Sequence, residues 1–172
     1  LGTGGRARYV AAIPAIPKEP AVPEDQPPLS GACRCGNTTF NVSAPAVMTS
    51  ACHCRGCQRM SASAYSLSAL FPAAAFQVTE GTPVKGGIQG PDLDHYFCPD
   101  CKTWMFTRIT ALPELVNVRP TLFQDPVWTE PFIETMTAEK LPWADTPARH
   151  RYAGYPPPEE FAHLLADFAA AH

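Results

Sequence analysis

The seven cysteines of the chain form three short groups whose spacing suits metal ligation. Two groups are pairs and one is a triplet: Cys33 and Cys35; Cys98 and Cys101; Cys52, Cys54 and Cys57. Cysteines two or three positions apart are too close to bridge distant parts of a fold, but their thiolates can converge on one ion. The spacing therefore favours metal sites over a disulfide framework. Because thiolate ligands must stay reduced, a reducing compartment such as the cytoplasm is expected.

The two pairs together offer the four thiolates of a closed zinc site. Cys33 and Cys35 precede a predicted turn at Gly36, and Cys98 and Cys101 follow a short apolar segment. A set of four cysteines fills every position of a tetrahedral Zn²⁺ ion and leaves none for a substrate. Since the pairs are far apart in the sequence, the ion would tie distant parts of the chain together. We expect a structural role for this site.

The triplet provides three thiolates and leaves a fourth coordination position open. Structural zinc sites fill all four positions, whereas catalytic sites keep one for water or substrate. His53 or a distant histidine could close the site, but His53 lies between two ligands on a tight turn. We therefore predict an open, functional zinc site at Cys52, Cys54 and Cys57, and two zinc ions per chain.

An open zinc ion held by three thiolates suits a thiol substrate. Zinc prefers such a soft ligand and stabilises thiolate over thiol, but the added negative charge needs cations nearby. Arg55 and Arg59 flank the motif and could offset this charge or bind a carboxylate of the incoming thiol, with Gln58 as a further polar contact. The alternative is that these side chains are exposed on a short helical turn. Folding could also bring Arg119 or Lys102 close to the site.

The elements that position these groups are predicted to be mainly short β-strands. Alternating or apolar segments bounded by turn residues predict strands at residues 38–42, 65–71, 95–97, 103–107, 115–118 and 132–136. A short helical turn is expected after Cys54. Pro158 can begin a C-terminal helix, whose apolar stripe is Phe161, Leu164, Leu165 and Phe168. The expected fold is a compact, zinc-binding, multi-stranded β fold over residues 29–172.

A proline-rich N-terminal arm is predicted at residues 1–28. Four prolines recur every third residue, at positions 14, 17, 20 and 23, and two more follow at 27 and 28. This period matches polyproline II, which is typical of stiff spacers. The alternative is a ligand for a proline-recognising domain.

The composition indicates one globular domain without a nucleic-acid or membrane partner. Of 172 residues, 45% are hydrophobic and 17% charged, which favours a packed core over disorder. The net charge of -3 and the lack of Lys/Arg clusters argue against binding to nucleic acid or an anionic membrane. The sequence has no run of about 18 apolar residues, so no transmembrane helix is expected.

The cysteine motifs resemble those of the glutathione-dependent formaldehyde-activating enzymes, also called the GFA or centromere-protein-V type family. The similar segments are residues 31–36 (GACRCG), 52–58 (CHCRGCQ) and 97–101 (FCPDC), with weaker similarity at 116–119 and 139–143. The similarity extends over about residues 29–156, and all seven cysteines match in order and spacing. The family usually has glycine after its last cysteine, which permits a positive φ, but this chain has Lys102.

The resemblance implies a zinc-dependent carbon–sulfur lyase. Such an enzyme binds glutathione or a related thiol at the open zinc, and forms or breaks an adduct with a small aldehyde such as formaldehyde, giving S-hydroxymethylglutathione. The cysteine triplet would then be the catalytic centre, and the two pairs would hold the structural ion. The alternative is a non-catalytic thiol carrier with the same zinc site. A chromatin-type interaction module would need a basic surface, which the acidic composition disfavours.

Overall fold

The computed structural model describes residues 28–87 and 92–172, and within them the protein is mainly β, as predicted. The predicted arm lies outside the described residues, apart from Pro28. The strands are β1 (Leu29–Ala32), β2 (Thr39–Val42), β3 (Met48–Cys52), β4 (Ser66–Pro72), β5 (Phe76–Glu80), β6 (Val84–Lys85), β7 (Leu93–Phe97), β8 (Trp104–Ile109), β9 (Leu115–Val118), β10 (Ile133–Thr135) and β11 (His150–Arg151). The α-helices are α1 (Arg55–Ser61) and α2 (Phe161–Ala171). Short 3₁₀ turns are Ala73–Ala75, Pro120–Leu122, Val127–Thr129, Thr137–Glu139 and Pro158–Glu160.

The strands form one small sheet and one large sheet. The small sheet has the order β1-β2-β5, and the large one has the order β11-β10-β3-β4-β9-β8-β7-β6. Neighbours are antiparallel except around β10, which runs parallel to both β3 and β11. A parallel neighbour cannot be joined by a tight hairpin, so β10 reaches β3 from far along the chain.

The main core joins the two sheets through aromatic side chains. Phe40 of β2 and Phe76 of β5 belong to the same buried cluster as Phe71 of β4 and Phe106 of β8. The Phe76 and Phe106 ring centroids lie 4.8 Å apart, a distance typical of favourable aromatic pairs. The small sheet is thereby packed against the centre of the large one, which fixes the position of its β1–β2 turn.

The C-terminal helix docks through a second apolar cluster, as its sequence stripe predicted. Leu164 and Phe168 of α2 are buried against Met48, Phe132 and Ile133, near the β3–β10 edge of the large sheet. The 3₁₀ turn at Pro158–Glu160 precedes the α-helix, so regular helix begins a few residues later than expected. Neither described α-helix is long and apolar enough to span a bilayer.

Candidate metal centres

Four cysteines converge where the β1–β2 turn meets the β7–β8 turn, and we call them the four-cysteine cluster. Their sulfur atoms all lie within 4.8 Å of one another in Cys33, Cys35, Cys98 and Cys101. Cys33 and Cys98 are buried and Cys35 is exposed. Hydrogen bonds from Thr103 lower the pKa of Cys101 to about 5. A hydrogen bond with Thr38 also lowers the pKa of Cys98. A compact set of four sulfurs, two of them with a lowered pKa, fits a tetrahedral Zn²⁺ ion.

The two turns of the four-cysteine cluster are also hydrogen-bonded directly to each other. The Asn37 side-chain amide donates to the Asp100 carboxylate at 3.0 Å. The Arg34 backbone N–H donates to the Thr103 hydroxyl at 3.3 Å. The same arrangement that brings the sulfurs together therefore also joins the small sheet to the end of the β7–β8 hairpin.

Lys102 adopts the backbone conformation that glycine would take at the end of the second turn. Its φ is 59°, in the left-handed region that costs residues with a Cβ about 1–2 kcal/mol. The Lys102 N–H donates to the Cys98 carbonyl at 3.2 Å and closes the turn, while its ammonium group donates to the Pro99 carbonyl. The turn thus keeps a positive φ although lysine replaces the usual glycine.

The remaining three cysteines form a second group, the three-cysteine cluster. The sulfurs of Cys52, Cys54 and Cys57 lie within 4.8 Å of one another. Cys52 ends β3, Cys54 is the N-cap of α1, and Cys57 lies in the first turn of that helix. The Cys57 N–H donates to the Cys54 sulfur at 3.4 Å. A strand end and a helix start therefore hold the three sulfurs together.

The three-cysteine cluster has the electrostatics of a cation site. Hydrogen bonds from the Cys52 and Cys57 thiols lower the pKa of Cys54 to about 2. Hydrogen bonds with Cys54 and Cys57, together with burial, raise the pKa of Cys52. Like charges this close disfavour one another, so all three sulfurs can ionise together only beside a compensating cation. The donor set fits Zn²⁺, which binds cysteine as thiolate.

His53 is directed to a carboxylate and not to the neighbouring sulfurs. Its Nε2 lies 3.1 Å from Glu134 Oε1, and both side chains are fully buried. Within residues 28–87 and 92–172, no fourth histidine, cysteine or acidic ligand atom joins the three-cysteine cluster. In the described chain the cluster therefore offers three candidate protein ligands.

Glu134 is the centre of a buried ionic network that supports this site. It lies in β10 opposite Ala51, and accepts hydrogen bonds from Lys140 at 2.9 Å and from Thr146 at 2.9 Å, with Arg151 at 3.1 Å. Burial alone would raise the pKa of Glu134, but hydrogen bonds from Lys140, Thr146 and His53 and the charge of Lys140 lower it below its ordinary value. Sequence reasoning missed this residue. The sequence feature that could have identified it is a carboxylate within a predicted apolar strand, because a buried carboxylate requires hydrogen-bonding or charged partners.

The polar residues predicted as substrate contacts lie on α1. Gln58 is buried, and its amide donates to the carbonyls of His53 at 2.6 Å and Glu139 at 2.9 Å. Arg55 is exposed and donates to the Gln58 side-chain oxygen at 2.9 Å, and Arg59 is also exposed. The Gln58 hydrogen bonds hold α1 against the backbone at His53 and Glu139. A role of the three residues in substrate binding stays a prediction.

Arg119 is the buried cation of this region. It follows β9, is 7% exposed, and donates to the Leu67 carbonyl at 3.0 Å and to the Asn117 side-chain oxygen at 2.9 Å. Its guanidinium carbon lies 3.9 Å from the centroid of the Trp104 ring. Burial lowers the pKa of Arg119 to about 10, and the negative charges of Cys57 and Cys52 act in the opposite direction. From the sequence, Arg119 was named only as one of two cations that folding could bring close to the three cysteines.

The fold and the two clusters define a class of β protein with two cysteine-only groups that could each hold a metal ion. The model of one family, the glutathione-dependent formaldehyde-activating enzymes (GFA), matches residues 28–139, and the chain belongs to that family. No curated protein matches the chain. A crystal structure of a Rhodobacter sphaeroides protein is similar at 19% identity with a TM-score of 0.47, covering 56% of this chain and 88% of that one.

Proposed function

We propose that this protein is a zinc-dependent carbon–sulfur lyase that binds glutathione or a related thiol at the three-cysteine cluster. The observation that carries the proposal is a group of three sulfurs within 4.8 Å that no fourth ligand atom of the described residues completes. Membership of the GFA family supports the choice of thiol and of formaldehyde, or another small aldehyde, as substrates. A cytoplasmic location stays a prediction, based on the need for reduced thiolates.

The chemistry requires a thiolate at neutral pH. Zn²⁺ held by the three cysteines would supply a Lewis acid that lowers the pKa of a thiol. The thiolate of glutathione forms a bond from its sulfur to the carbonyl carbon of formaldehyde, and the carbonyl electron pair moves to oxygen, which takes a proton. The product is S-hydroxymethylglutathione, and the reverse reaction breaks the same C–S bond.

The residues around the three-cysteine cluster have positioning roles in this proposal. His53 and Glu134 anchor the peptide between Cys52 and Cys54, and Gln58 fixes α1 against the His53 carbonyl. Arg55 and Arg59 are exposed on the same helix and are proposed to bind a carboxylate of the thiol. For the four-cysteine cluster we propose a structural zinc ion.

Steady-state turnover with glutathione and formaldehyde, compared with the uncatalysed rate, tests the proposal. The wild-type protein is expected to exceed the uncatalysed rate, and Cys54→Ser is expected to match it. A wild-type protein that binds glutathione without exceeding the uncatalysed rate would instead be a thiol carrier, the second candidate, which uses the same three cysteines.

A further inference from the structure

Arg119 is a buried cation without a carboxylate partner in the described part of the chain. Its side chain is more than nine-tenths buried, and its hydrogen bonds go to a carbonyl and an amide oxygen, which are neutral acceptors. Its Nε–H is buried and has no hydrogen-bond partner among the described residues. A buried charge is costly unless an anion balances it, so the surroundings of Arg119 should contain or receive one.

The strand register places Arg119 beside the three-cysteine cluster. The carbonyl that accepts from its guanidinium belongs to Leu67 of β4, which is paired with Ala51 of β3. The next pair along these strands is Ser66 and Cys52. The carbonyl that holds the guanidinium therefore lies one residue pair away from a cysteine of the cluster. Trp104 covers one face of the guanidinium and so limits its movement.

A second buried donor lies at the same place. The Ser66 hydroxyl is buried without a regular hydrogen-bond partner in the described chain, and it lies beside the Cys57 sulfur. Negative charge on Cys57 or Cys52 raises the pKa of Arg119, so the guanidinium lies close enough to interact with both sulfurs. The orphaned Nε–H of Arg119 and the Ser66 hydroxyl beside the Cys57 sulfur are thus two buried donors at the cluster, placed where they would stabilise negative charge on its sulfurs or on a bound ligand.

We propose that Arg119 is the counter-ion of the three-cysteine cluster and that it makes the open position prefer an anionic ligand to a neutral one. The inference rests on the proposed function and adds a specificity-determining residue to it. Three thiolates and one divalent cation leave one net negative charge, and a thiolate ligand adds another. The fixed charge of Arg119 offsets this increase, whereas a neutral ligand gains nothing from it.

The test compares two ligands of different charge at the same position. The metal of the three-cysteine cluster is replaced with Co²⁺, whose absorption reports a change of ligand, and the protein is titrated with 2-mercaptoethanol and with imidazole. Arg119→Gln is expected to weaken binding of 2-mercaptoethanol by about tenfold and of imidazole by less than about twofold. Arg119→Lys, which keeps the charge, should retain most of the preference.

Arg108→Gln is the matched control, because it removes an equal charge from a neighbouring strand. Arg108 is half-buried in β8, and its guanidinium carbon lies 5.5 Å from the centroid of the Phe76 ring. This variant should bind both ligands as the wild type does. Equal weakening of both ligands by Arg119→Gln, or no weakening, would overturn the counter-ion role. If Arg119→Gln does not fold, loss of the preference in folded Arg119→Lys would overturn it.

A separate readout distinguishes this inference from the proposed function. If the wild-type protein binds no thiol, the proposed function fails, and chelator competition then decides the role of Arg119. A counter-ion stabilises the ionised form of the three cysteines and therefore the metal ion that they bind. Arg119→Gln should thus lose the Co²⁺ of this cluster at about tenfold lower chelator concentration than Arg108→Gln. Identical release from both variants would contradict the inference.

Discussion

At Lys102 the turn that follows Cys101 keeps its backbone conformation although the residue is not the usual glycine. The turn after Cys101 needs a positive φ, and lysine supplies it at a conformational cost that glycine would avoid. In the sequence, the loss of the usual glycine left the geometry of this turn open. The structure instead shows the geometry retained, with the Lys102 N–H bonded to the Cys98 carbonyl.

We therefore predict that Lys102→Gly stabilises the protein. The free energy of unfolding should rise by about 1 kcal/mol, because the Cβ penalty of the left-handed conformation is removed. Thermal and denaturant unfolding of the zinc-loaded protein measure it. Lys102→Ala is the control, since it loses the ammonium contact but keeps a Cβ. An equal gain from alanine would show that the backbone conformation is not the cause.

The pairing of β10 with β3 determines the surroundings of the three-cysteine cluster. Residues of β10 pair with Ser50, Ala51 and Cys52, and the buried Glu134 thereby reaches His53. Lys140, Thr146 and Arg151, which hold Glu134, lie beyond the segment that the family model matches. The C-terminal part of the chain thus supports a site whose ligands all lie in the matched part.

Glu134→Gln should weaken folding in a pH-dependent way. At neutral pH the free energy of unfolding should fall by about 2 kcal/mol, because the partly buried Lys140 and the exposed Arg151 lose their anion and Thr146 loses a charged acceptor. The lowered pKa of Glu134 means that its contribution is present above its ordinary value of 4.5 and is lost as pH falls through the lower, folded value. The difference between wild type and variant should therefore shrink in acid. Denaturant unfolding across this pH range measures it.

Glu130→Gln is the matched control for this experiment. Glu130 is exposed and close in sequence, so its removal should change the free energy of unfolding by no more than about 0.5 kcal/mol at any pH. A stability difference between wild type and Glu134→Gln that stayed constant into acid would contradict the assigned titration.

At the same scale, strands with local signals were predictable and strands defined by tertiary pairing were not. Leu115–Val118 was predicted with the correct bounds, and Ser66–Pro72 was displaced by one residue. Met48–Cys52 was missed, since its small and polar residues do not alternate, and its pairing comes from β4 and β10. The three short cysteine groups were predictable because spacing within a turn is local. Glu134 and Arg119 reach the site only through strand register.

For the whole molecule, the four-cysteine cluster connects two sheets that the backbone joins only distantly. Cys35 and Cys98 are 63 positions apart, yet their sulfurs lie 3.8 Å from each other. An ion bound at this point would restrict the β1–β2 turn and the β7–β8 hairpin together. Binding energy at such a site contributes to folding, because the unfolded chain does not offer the site preformed.

Cys98→Ser is accordingly expected to lose stability on the order of several kcal/mol, or to aggregate. Cys54→Ser should stay folded, since the three-cysteine cluster lies at a strand end and a helix start already held by hydrogen bonds. Thermal unfolding of both variants against wild type measures the difference. Equal thermal stability of Cys98→Ser and wild type would contradict the structural role.

The most direct test of the open three-cysteine site is calorimetric titration of glutathione into wild type and Cys54→Ser, with the zinc content of the same samples measured. The wild type is expected to contain two zinc ions and to bind one glutathione per chain. Folded Cys54→Ser is expected to keep the zinc of the four-cysteine cluster and to bind no glutathione. Unchanged glutathione affinity in Cys54→Ser, or a wild-type protein purified without chelators that contains no zinc, would contradict the account.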